Sequence, residues 1–284
     1  GGWQGTCPPA GTICYGRHMQ TPAQPSIIDP DLLMMAYRSG IFPMSDARDD
    51  PEIFWVEPRR RAILPLDGFR CARSLARTLR RGRFTVTCNG DFAAVLRACA
   101  APRRESRETW ISDRIEASYQ ALHGLGQAHS IECWQDGELV GGLYGVGFDR
   151  VFCGESMFSR VPDASKVALA WLVAALRRGG ARLLDCQFMT DHLASLGAVE
   201  ISQANYLTLL QAAQSSGAGA GALGAGAFTA ADGAADGTAA GEAEAEGTAL
   251  ALPSAFAALL DDAAAAGLSS SPGNFIAQSL TQTS

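Results

Sequence analysis

The apolar positions between residues 26 and 100 follow helical spacing in some stretches and strand spacing in others. We predict a helix within DPDLLMMAYRSGIF, because Asp29 followed by proline favours a helix start and Gly40 favours a helix end. A basic amphipathic helix is predicted within GFRCARSLARTLRRGRF, because Leu75 and Leu79 lie one helical turn apart among arginines. FTVT then predicts a strand and DFAAVLRACA a further helix. We therefore expect residues 26–100 to form a small N-terminal α/β domain.

Residues 101–212 predict a second α/β unit. SDRIEASYQALHGLG predicts a helix capped by Ser112, and SIECWQDGELVGGLYGV predicts a hairpin with Asp136-Gly137 at its turn. VFCGESMF follows as a third antiparallel strand. DASKVALAWLVAALRRGG predicts a crossover helix capped by Asp163, followed by the strand LLDCQFM, a short helix, the edge strand AVEIS and a last helix. This order predicts a mixed sheet flanked by helices.

The two ends of the chain differ from these units in composition. Residues 1–25 are rich in proline and glycine, and residues 213–284 consist mainly of Ala, Gly, Ser and Thr. Such segments bury too little apolar area to offset chain entropy, so we expect a disordered N-terminal extension and a disordered, acidic, low-complexity tail. Within that tail, SAFAALLDDAAAAGL is compatible with a short isolated helix.

Composition narrows the class of protein. The chain has 284 residues, of which 47% are hydrophobic and 18% charged, enough for one large or two modest globular units. It has no uncharged apolar run of about 18 residues and no signal-peptide pattern, so we expect no membrane association. Its eight cysteines form no CxxC spacing, which favours reduced thiols over disulfides or a metal site.

Charge is distributed unevenly along the chain. The tail from residue 211 holds seven acidic residues and no Lys or Arg, so the net charge of −6 hides a nearly neutral remainder. Residues 59–107 hold thirteen arginines against three acidic residues, which favours binding to a polyanion. The alternative is a solvated arginine-rich surface. The phosphate contacts that we predict on the basic helix are Arg73, Arg77, Arg80 and Arg81.

Two strands carry the polar residues that suggest chemistry. In LLDCQFM, alternation sets Asp185 and Gln187 on one face of an otherwise apolar strand. In FCGESMFSR, Glu155 lies between apolar runs, where an ionised carboxylate is rarely buried without a partner. The crossover helix would bring Glu155 beside Asp185 and Gln187, a cleft arrangement suited to chemistry. The alternative is that Asp185 or Glu155 only pairs with an arginine.

Six stretches resemble the leucyl/phenylalanyl-tRNA–protein transferase family in order and spacing over residues 28–212: YRSGIFP, ELVGGLYGV, FCGESMFSR, DASK, LLDCQ and ASLGA. The resemblance implies a bacterial cytoplasmic enzyme that transfers Leu, Phe or Met from charged tRNA to the N-terminal Arg or Lys of a protein. That transfer marks the protein for degradation through the N-end rule. The resemblance also implies a GNAT-like catalytic domain over residues 101–212, no metal, no cofactor and a monomeric chain.

The resemblance implies catalytic roles for Gln187, Asp185 and Glu155. Gln187 would contact the attacking amine, and because an amide oxygen is a poor base we interpret it as an orienting group. Asp185 would be the electrostatic partner that accepts positive charge. Glu155 would hold the donor's ammonium group or the cationic end of the acceptor.

The resemblance also implies a set of substrate contacts. Trp110, which matches a family Trp, would stack on the adenine at the tRNA 3′ end, and the position of Lys166 in the first turn of its helix favours binding of a tRNA phosphate. The alternatives are a core tryptophan and a solvated lysine. The remaining implied substrate-binding residues, which core packing would explain equally well, are Tyr37, Met44, Leu143, Phe152, Met157 and Leu169.

Some positions depart from the family pattern, and two other functions stay open. Met44 stands where the family usually has Trp, Thr190 stands where it usually has Asn, and DASK replaces NASK. A GNAT-type acyl-CoA N-acetyltransferase is one alternative, although the glycines of a pyrophosphate loop are missing before the crossover helix. A non-catalytic RNA-binding module is the other, and it leaves Asp185, Gln187 and Glu155 unexplained.

Overall fold

The computed structural model describes residues 26–102, 109–215 and 250–281. Its helices are α1 (Pro30–Arg38), α2 (Arg73–Arg80), α3 (Phe92–Ala100), α4 (Asp113–Gly124), α5 (Ala164–Arg178), α6 (Asp191–Ser195), α7 (Gln203–Gln214), α8 (Leu252–Ala265) and α9 (Pro272–Thr281), with a 3-10 turn at Leu66–Gly68. Its strands are β1 (Phe42–Met44), β2 (Phe54–Val56), β3 (Arg60–Ile63), β4 (Thr85–Cys88), β5 (Ala128–Gln135), β6 (Glu138–Phe148), β7 (Val151–Ser159), β8 (Leu183–Gln187) and β9 (Val199–Ser202).

A seven-stranded mixed sheet in the order β4-β5-β6-β7-β8-β3-β9 forms the centre of the described structure, which confirms the predicted fold class. Strands β4 to β7 are antiparallel neighbours, and α5 crosses over to β8, which runs parallel to β7. Strand β3 lies antiparallel between β8 and β9. Because β3 and β4 come from the predicted first unit, the two units share one sheet.

Helices cover both faces of this sheet. Apolar side chains of α2, α5, α8 and α9 form one core cluster, and those of α1, α3, α4 and α7 form another. Helix α5 is buried on nearly all sides, as expected for a crossover helix at the centre of a layered fold. Strands β1 and β2 form a separate two-stranded hairpin in which Met44 pairs with Phe54.

Local cap chemistry sets the starts of several helices. The Asp29 carboxylate accepts hydrogen bonds from the backbone N–H groups of the first turn of α1, and Ser112 caps α4 in the same way, as predicted. Asp163 occupies the predicted N-cap position of α5, but its side chain makes no cap hydrogen bond and its φ is 70°. The carboxylate pairs instead with Lys166, at 3.2 Å.

Residues 250–281 of the tail are not disordered: they form α8 and α9, and the helix expected within SAFAALLDDAAAAGL is present as part of α8, although it is not isolated. Helix α8 packs against α5, and α9 packs against both α2 and α5. The ring of Phe256 lies 5.3 Å from that of Trp171, and Ile276 is fully buried. The tail's mean composition concealed these apolar residues, whose helical spacing lets them join a core that the rest of the chain supplies. The predicted extension 1–25 and the remainder of the tail lie outside the described residues.

None of the helices in the described ranges combines the length and the apolar character that crossing a membrane requires.

Candidate active site

A cavity of about 620 Å³ opens where β7 and β8 part. Pairing between these parallel strands ends at Cys153 and Asp185, and two residues further along Glu155 and Gln187 face the opening. Predicted site residues in the cavity wall are Met44, Trp110, Leu143, Glu155, Met157, Leu169 and Gln187. The wall is mostly apolar, so the two polar side chains lie in a hydrophobic setting.

A β-bulge in β7 places Glu155 at the cavity. Tyr144 pairs with Ser156 and Gly145 pairs with Gly154, so Glu155 is the extra residue of a β-bulge. A Cβ on Gly145 would lie 2.2 Å from the Cys153 carbonyl oxygen, so only glycine permits this close approach. The sequence pattern placed Glu155 on a strand but contained no signal for the bulge.

Glu155 is 8% exposed and is held by two neutral donors. The Tyr119 hydroxyl donates to Oε2 at 2.9 Å, and the Gln187 amide Nε2 donates to Oε1 at 2.8 Å. The predicted proximity of Glu155 and Gln187 is therefore present, and within the described ranges no arginine forms an ion pair with Glu155. Tyr119, a site residue that the sequence analysis missed, reaches Glu155 from α4, a pairing that only the tertiary fold creates.

Burial raises the pKa of Glu155 from its ordinary value of 4.5 to about 7. The hydroxyls of Tyr37 and Tyr119 oppose that rise because they stabilise the carboxylate, whereas the nearby Asp185 charge adds to it and Arg61 opposes it. The carboxyl group thus sits near its midpoint at neutral pH. A group in this state can take up or release a proton under physiological conditions.

Gln187 ends β8 in a left-handed backbone conformation, with φ at 61°. This region is uncommon for residues other than glycine and costs of order 1–3 kcal/mol, so neighbouring contacts must hold it. Its backbone N–H donates to Asp185 Oδ1 at 2.8 Å, and its side chain donates to Glu155. The turn directs the amide into the cavity and leaves Phe188 on its rim, 48% exposed.

Asp185 lies behind this turn and is completely buried. Arg61 forms a bidentate ion pair with Asp185, in which Nε lies 2.9 Å from Oδ1 and Nη2 lies 2.6 Å from Oδ2. The Tyr206 hydroxyl also donates to Oδ2 of Asp185, at 2.9 Å. The alternative in which an arginine pairs with Asp185 is thus the observed arrangement. Asp185 does not line the cavity but contacts the main chain of Gln187. Arg61, counted from sequence as part of the basic segment, is 1% exposed and serves this internal pair.

Comparison with known proteins identifies the chain. The family model described as "Leucyl/phenylalanyl-tRNA protein transferase" matches residues 63–211, and the one for the N-terminal domain of that transferase matches residues 27–59. The chain belongs to this family. It is therefore a transferase, and the resemblance seen in its motifs is confirmed.

The family's members include close relatives of this chain. A protein named leucyl/phenylalanyl-tRNA–protein transferase from Novosphingobium aromaticivorans is 65% identical over 266 residues, covering 92% of this chain and 98% of that protein. Relatives with the same name from Rhizorhabdus wittichii and Zymomonas mobilis subsp. mobilis are 59% and 58% identical, over 69% and 67% of this chain and 79% and 71% of theirs. A solved structure titled "The structure of L-PGS from Bacillus licheniformis" is 14% identical over 58% of this chain and 55% of that chain, at a TM-score of 0.33, too low to carry an argument.

Two residues that the family resemblance assigned to substrate do not reach the cavity surface. Phe152 is fully buried on the face of β7 that packs into the core, with its ring against Gly145. Tyr37 is 1% exposed, and its hydroxyl shares a hydrogen bond with that of Tyr119 behind Glu155. Strand alternation and helix packing direct both side chains inward.

The positions that depart from the family pattern have defined structural roles. Met44 and Thr190 both line the cavity. Thr190 also caps α6, accepting the Leu193 N–H at 3.2 Å. His192 lines the cavity next to it, and burial together with the nearby Lys166 charge lowers the pKa of its imidazole. The neutral form of that imidazole is therefore favoured.

The predicted phosphate contacts form a separate surface. Arg73, Arg77, Arg80 and Arg81 border a second cleft of about 500 Å³ along α2, together with Thr281 at the end of α9. All four side chains are exposed. Lys166 lies outside both clefts and pairs with Asp163. Three further arginines of the basic segment, at positions 103, 104 and 107, lie outside the described residues.

Proposed function

We propose that this chain transfers Leu, Phe or Met from aminoacyl-tRNA to the N-terminal Arg or Lys of proteins in the cytoplasm, tagging them for degradation through the N-end rule. The observation that carries the proposal is the Glu155–Gln187 pair in the wall of an apolar cavity. The names of the family and of its relatives support the tRNA donor and the protein acceptor.

The apolar wall suits the side chain of the donor amino acid. Leu143, Met157 and Leu169 supply aliphatic surface without a polar group that would select one shape. Hydrophobic contact alone discriminates weakly between side chains of similar size, which agrees with a donor set of Leu, Phe and Met. Trp110 and Met44 lie in the same wall and are the candidates for contact with the terminal adenosine.

The reaction itself is the aminolysis of an ester. The acceptor's α-amine attacks the aminoacyl carbonyl, a C–N bond forms, the C–O bond to the tRNA ribose breaks, and a proton passes from the amine to the departing ribose oxygen. A free α-amine has a pKa of about 7.7–8.0, so much of it is within reach of deprotonation near neutral pH. The enzyme must mainly bring the two substrates together and steady the developing charge.

Glu155, Gln187 and Asp185 divide this work in the proposal. Because Nε2 of Gln187 donates to Glu155, its amide oxygen is the group that accepts an N–H of the attacking amine. Glu155, with a pKa of about 7, holds the ammonium form of an amine or accepts its proton. Asp185 acts as a positioning residue, because it holds the Gln187 turn and touches no cavity surface.

The tRNA body would bind away from the cavity. The exposed arginines of α2 are the candidate phosphate contacts, with Lys166 as an additional one whose charge is partly offset by Asp163.

A transfer assay tests the proposal. Purified protein is incubated with radiolabelled Leu-tRNA and a peptide that begins with Arg, alongside an established active transferase. We expect label in the peptide, and none in a peptide that begins with Glu. No transfer while the reference enzyme works would refute the proposal, and saturable binding of acetyl-CoA would instead favour the acetyltransferase alternative.

A further inference from the structure

In the C-terminal helical pair, α9 packs against the basic helix α2, and α8 packs against α9 and α5. Helix α9 is the main helix packed against α2, and it also contacts α5. Ile276 and Leu280 of α9 are buried in the same cluster as Leu75 and Leu79 of α2. The apolar stripe of α2 is thus covered in part by α9, while its exposed positions present the arginines.

Backbone contact fixes how closely α9 approaches α2. A Cβ on Gly273 would lie 2.3 Å from the Leu79 carbonyl oxygen, a backbone atom that cannot move aside without moving the helix. Glycine is therefore required where the start of α9 meets the last turn of α2.

Polar contacts join the same elements. Arg177 of α5 donates through Nε to the Leu66 carbonyl at 2.8 Å, just before α2, and through Nη1 to the Ser279 carbonyl of α9 at 3.4 Å. Arg178 pairs with Asp262 of α8 at 2.7 Å. The end of α9 reaches the basic cleft itself, because Thr281 lines that cleft with the four arginines.

Helix α2 has only eight residues, and helices shorter than about 12 residues are marginal in water without tertiary packing. Without α9, its apolar stripe would lose cover and its arginines would lose a fixed spacing. We propose that the C-terminal helical pair is a positioning element for tRNA: it holds α2 so that Arg73, Arg77, Arg80 and Arg81 meet successive phosphates. This inference rests on the proposed tRNA-binding role of α2.

The test uses Gly273→Ala in the full chain, with Gln278→Ala as the matched control because Gln278 is exposed on the same helix. Two donors are compared: Leu-tRNA, and 3′-leucyl-adenosine, which carries the ester but no phosphates. Coupling between two sites typically amounts to a factor of 5 or more, so we expect Gly273→Ala to raise KM for Leu-tRNA about fivefold or more. We expect kcat, both parameters for leucyl-adenosine, and all values for Gln278→Ala to stay unchanged.

Hydrogen exchange supplies a readout independent of activity. Because coupling is reciprocal, adding uncharged tRNA to the wild-type protein is expected to slow amide exchange in α9. The same measurement reports whether Gly273→Ala has loosened α9, and Ile276→Asp replaces it as the variant if it has not.

Several outcomes would overturn the inference. An unchanged KM for Leu-tRNA with faster exchange in α9 would mean that α2 holds its place without α9. A lower KM would mean that the helical pair obstructs tRNA, and equal losses with both donors would mean that it supports the fold as a whole. If Arg77→Ala weakens tRNA binding and Gly273→Ala does not, the basic surface stands and the positioning role fails. If Arg77→Ala and Arg80→Ala have no effect, the tRNA-binding role of α2 is what fails.

Discussion

Replacing Arg61 by Met should destabilise the protein strongly, because it leaves the buried Asp185 carboxylate without its cationic partner. Arg61 and Asp185 are 1% and 0% exposed, and three hydrogen bonds join the guanidinium to the carboxylate. The variant also frees the Gly40 carbonyl, which Nη1 of Arg61 reaches at 3.0 Å. Removing one member of a buried ion pair typically costs about 3–5 kcal/mol, a large part of a total stability of about 5–15 kcal/mol.

A neighbouring residue on the same strand provides the control. Arg60 pairs with Glu200 at 3.2 Å, but both side chains are largely exposed. Such surface pairs contribute about 0–1 kcal/mol, so Arg60→Met should be nearly neutral. Urea unfolding followed by circular dichroism measures both variants, with the slope of the transition checked for constancy.

The double variant Arg61→Met, Asp185→Leu separates the charge from the packing. Because it removes both charges, it should recover part of the stability that Arg61→Met loses. A loss of stability in Arg61→Met no larger than that in Arg60→Met would contradict this prediction. So would a double variant that loses more stability than its two single variants together.

Three further predictions concern the cavity. Glu155 keeps its proton to about pH 7 in the folded protein but loses it near pH 4.5 in the unfolded chain, so the free energy of unfolding of the wild type should fall by about 3 kcal/mol as the pH rises between these values. Glu155→Gln should remove this decline, as measured by urea unfolding at pH 4.5, 6 and 8. Parallel curves of stability against pH for the two proteins would contradict this. In Gln187→Asn the new residue tolerates the left-handed backbone, but its shorter side chain moves the amide group away from the substrate. We therefore expect kcat to fall about 10²-fold while the tRNA affinity measured by filter binding stays unchanged. A loss of tRNA affinity alone would contradict the orienting role. Gly145→Ala should lower the free energy of unfolding by about 1–3 kcal/mol or more, because the new Cβ meets the Cys153 carbonyl oxygen. Gly124→Ala, where the Cβ would lie in open space, should cause no such loss. Equal thermal midpoints for the two variants would contradict the role given to Gly145 in the bulge.

The parts of the fold that depend on nearby residues could be predicted from sequence. The cap of α1 at Asp29, the hairpin turn at Asp136-Gly137 and the edge position of β9 all follow from patterns within a few residues. The proximity of Glu155 and Gln187 followed from topology, because a crossover helix sets β8 beside β7.

The parts that depend on distant residues could not be predicted. Nothing near Arg61 marks it as the partner of a residue 124 positions away, and its neighbours made it look like one more surface arginine. Tyr119 reaches Glu155 only because the tertiary fold brings α4 within hydrogen-bonding distance of β7. The bulge at Glu155 and the turn at Gln187 depend on strand register, which local pattern does not specify.

The position of β3 has a consequence for how this protein is made. The strand is synthesised early, yet its two neighbours in the sheet, β8 and β9, include residues 183–202. During synthesis β3 cannot pair until β8 and β9 have left the ribosome, so the N-terminal part of the chain cannot complete its part of the sheet by itself. Pairing over such sequence distances is slow and leaves strand edges unpaired meanwhile. A nascent chain that ends before residue 183 should therefore remain sensitive to protease, and should become resistant only once β9 has left the exit tunnel.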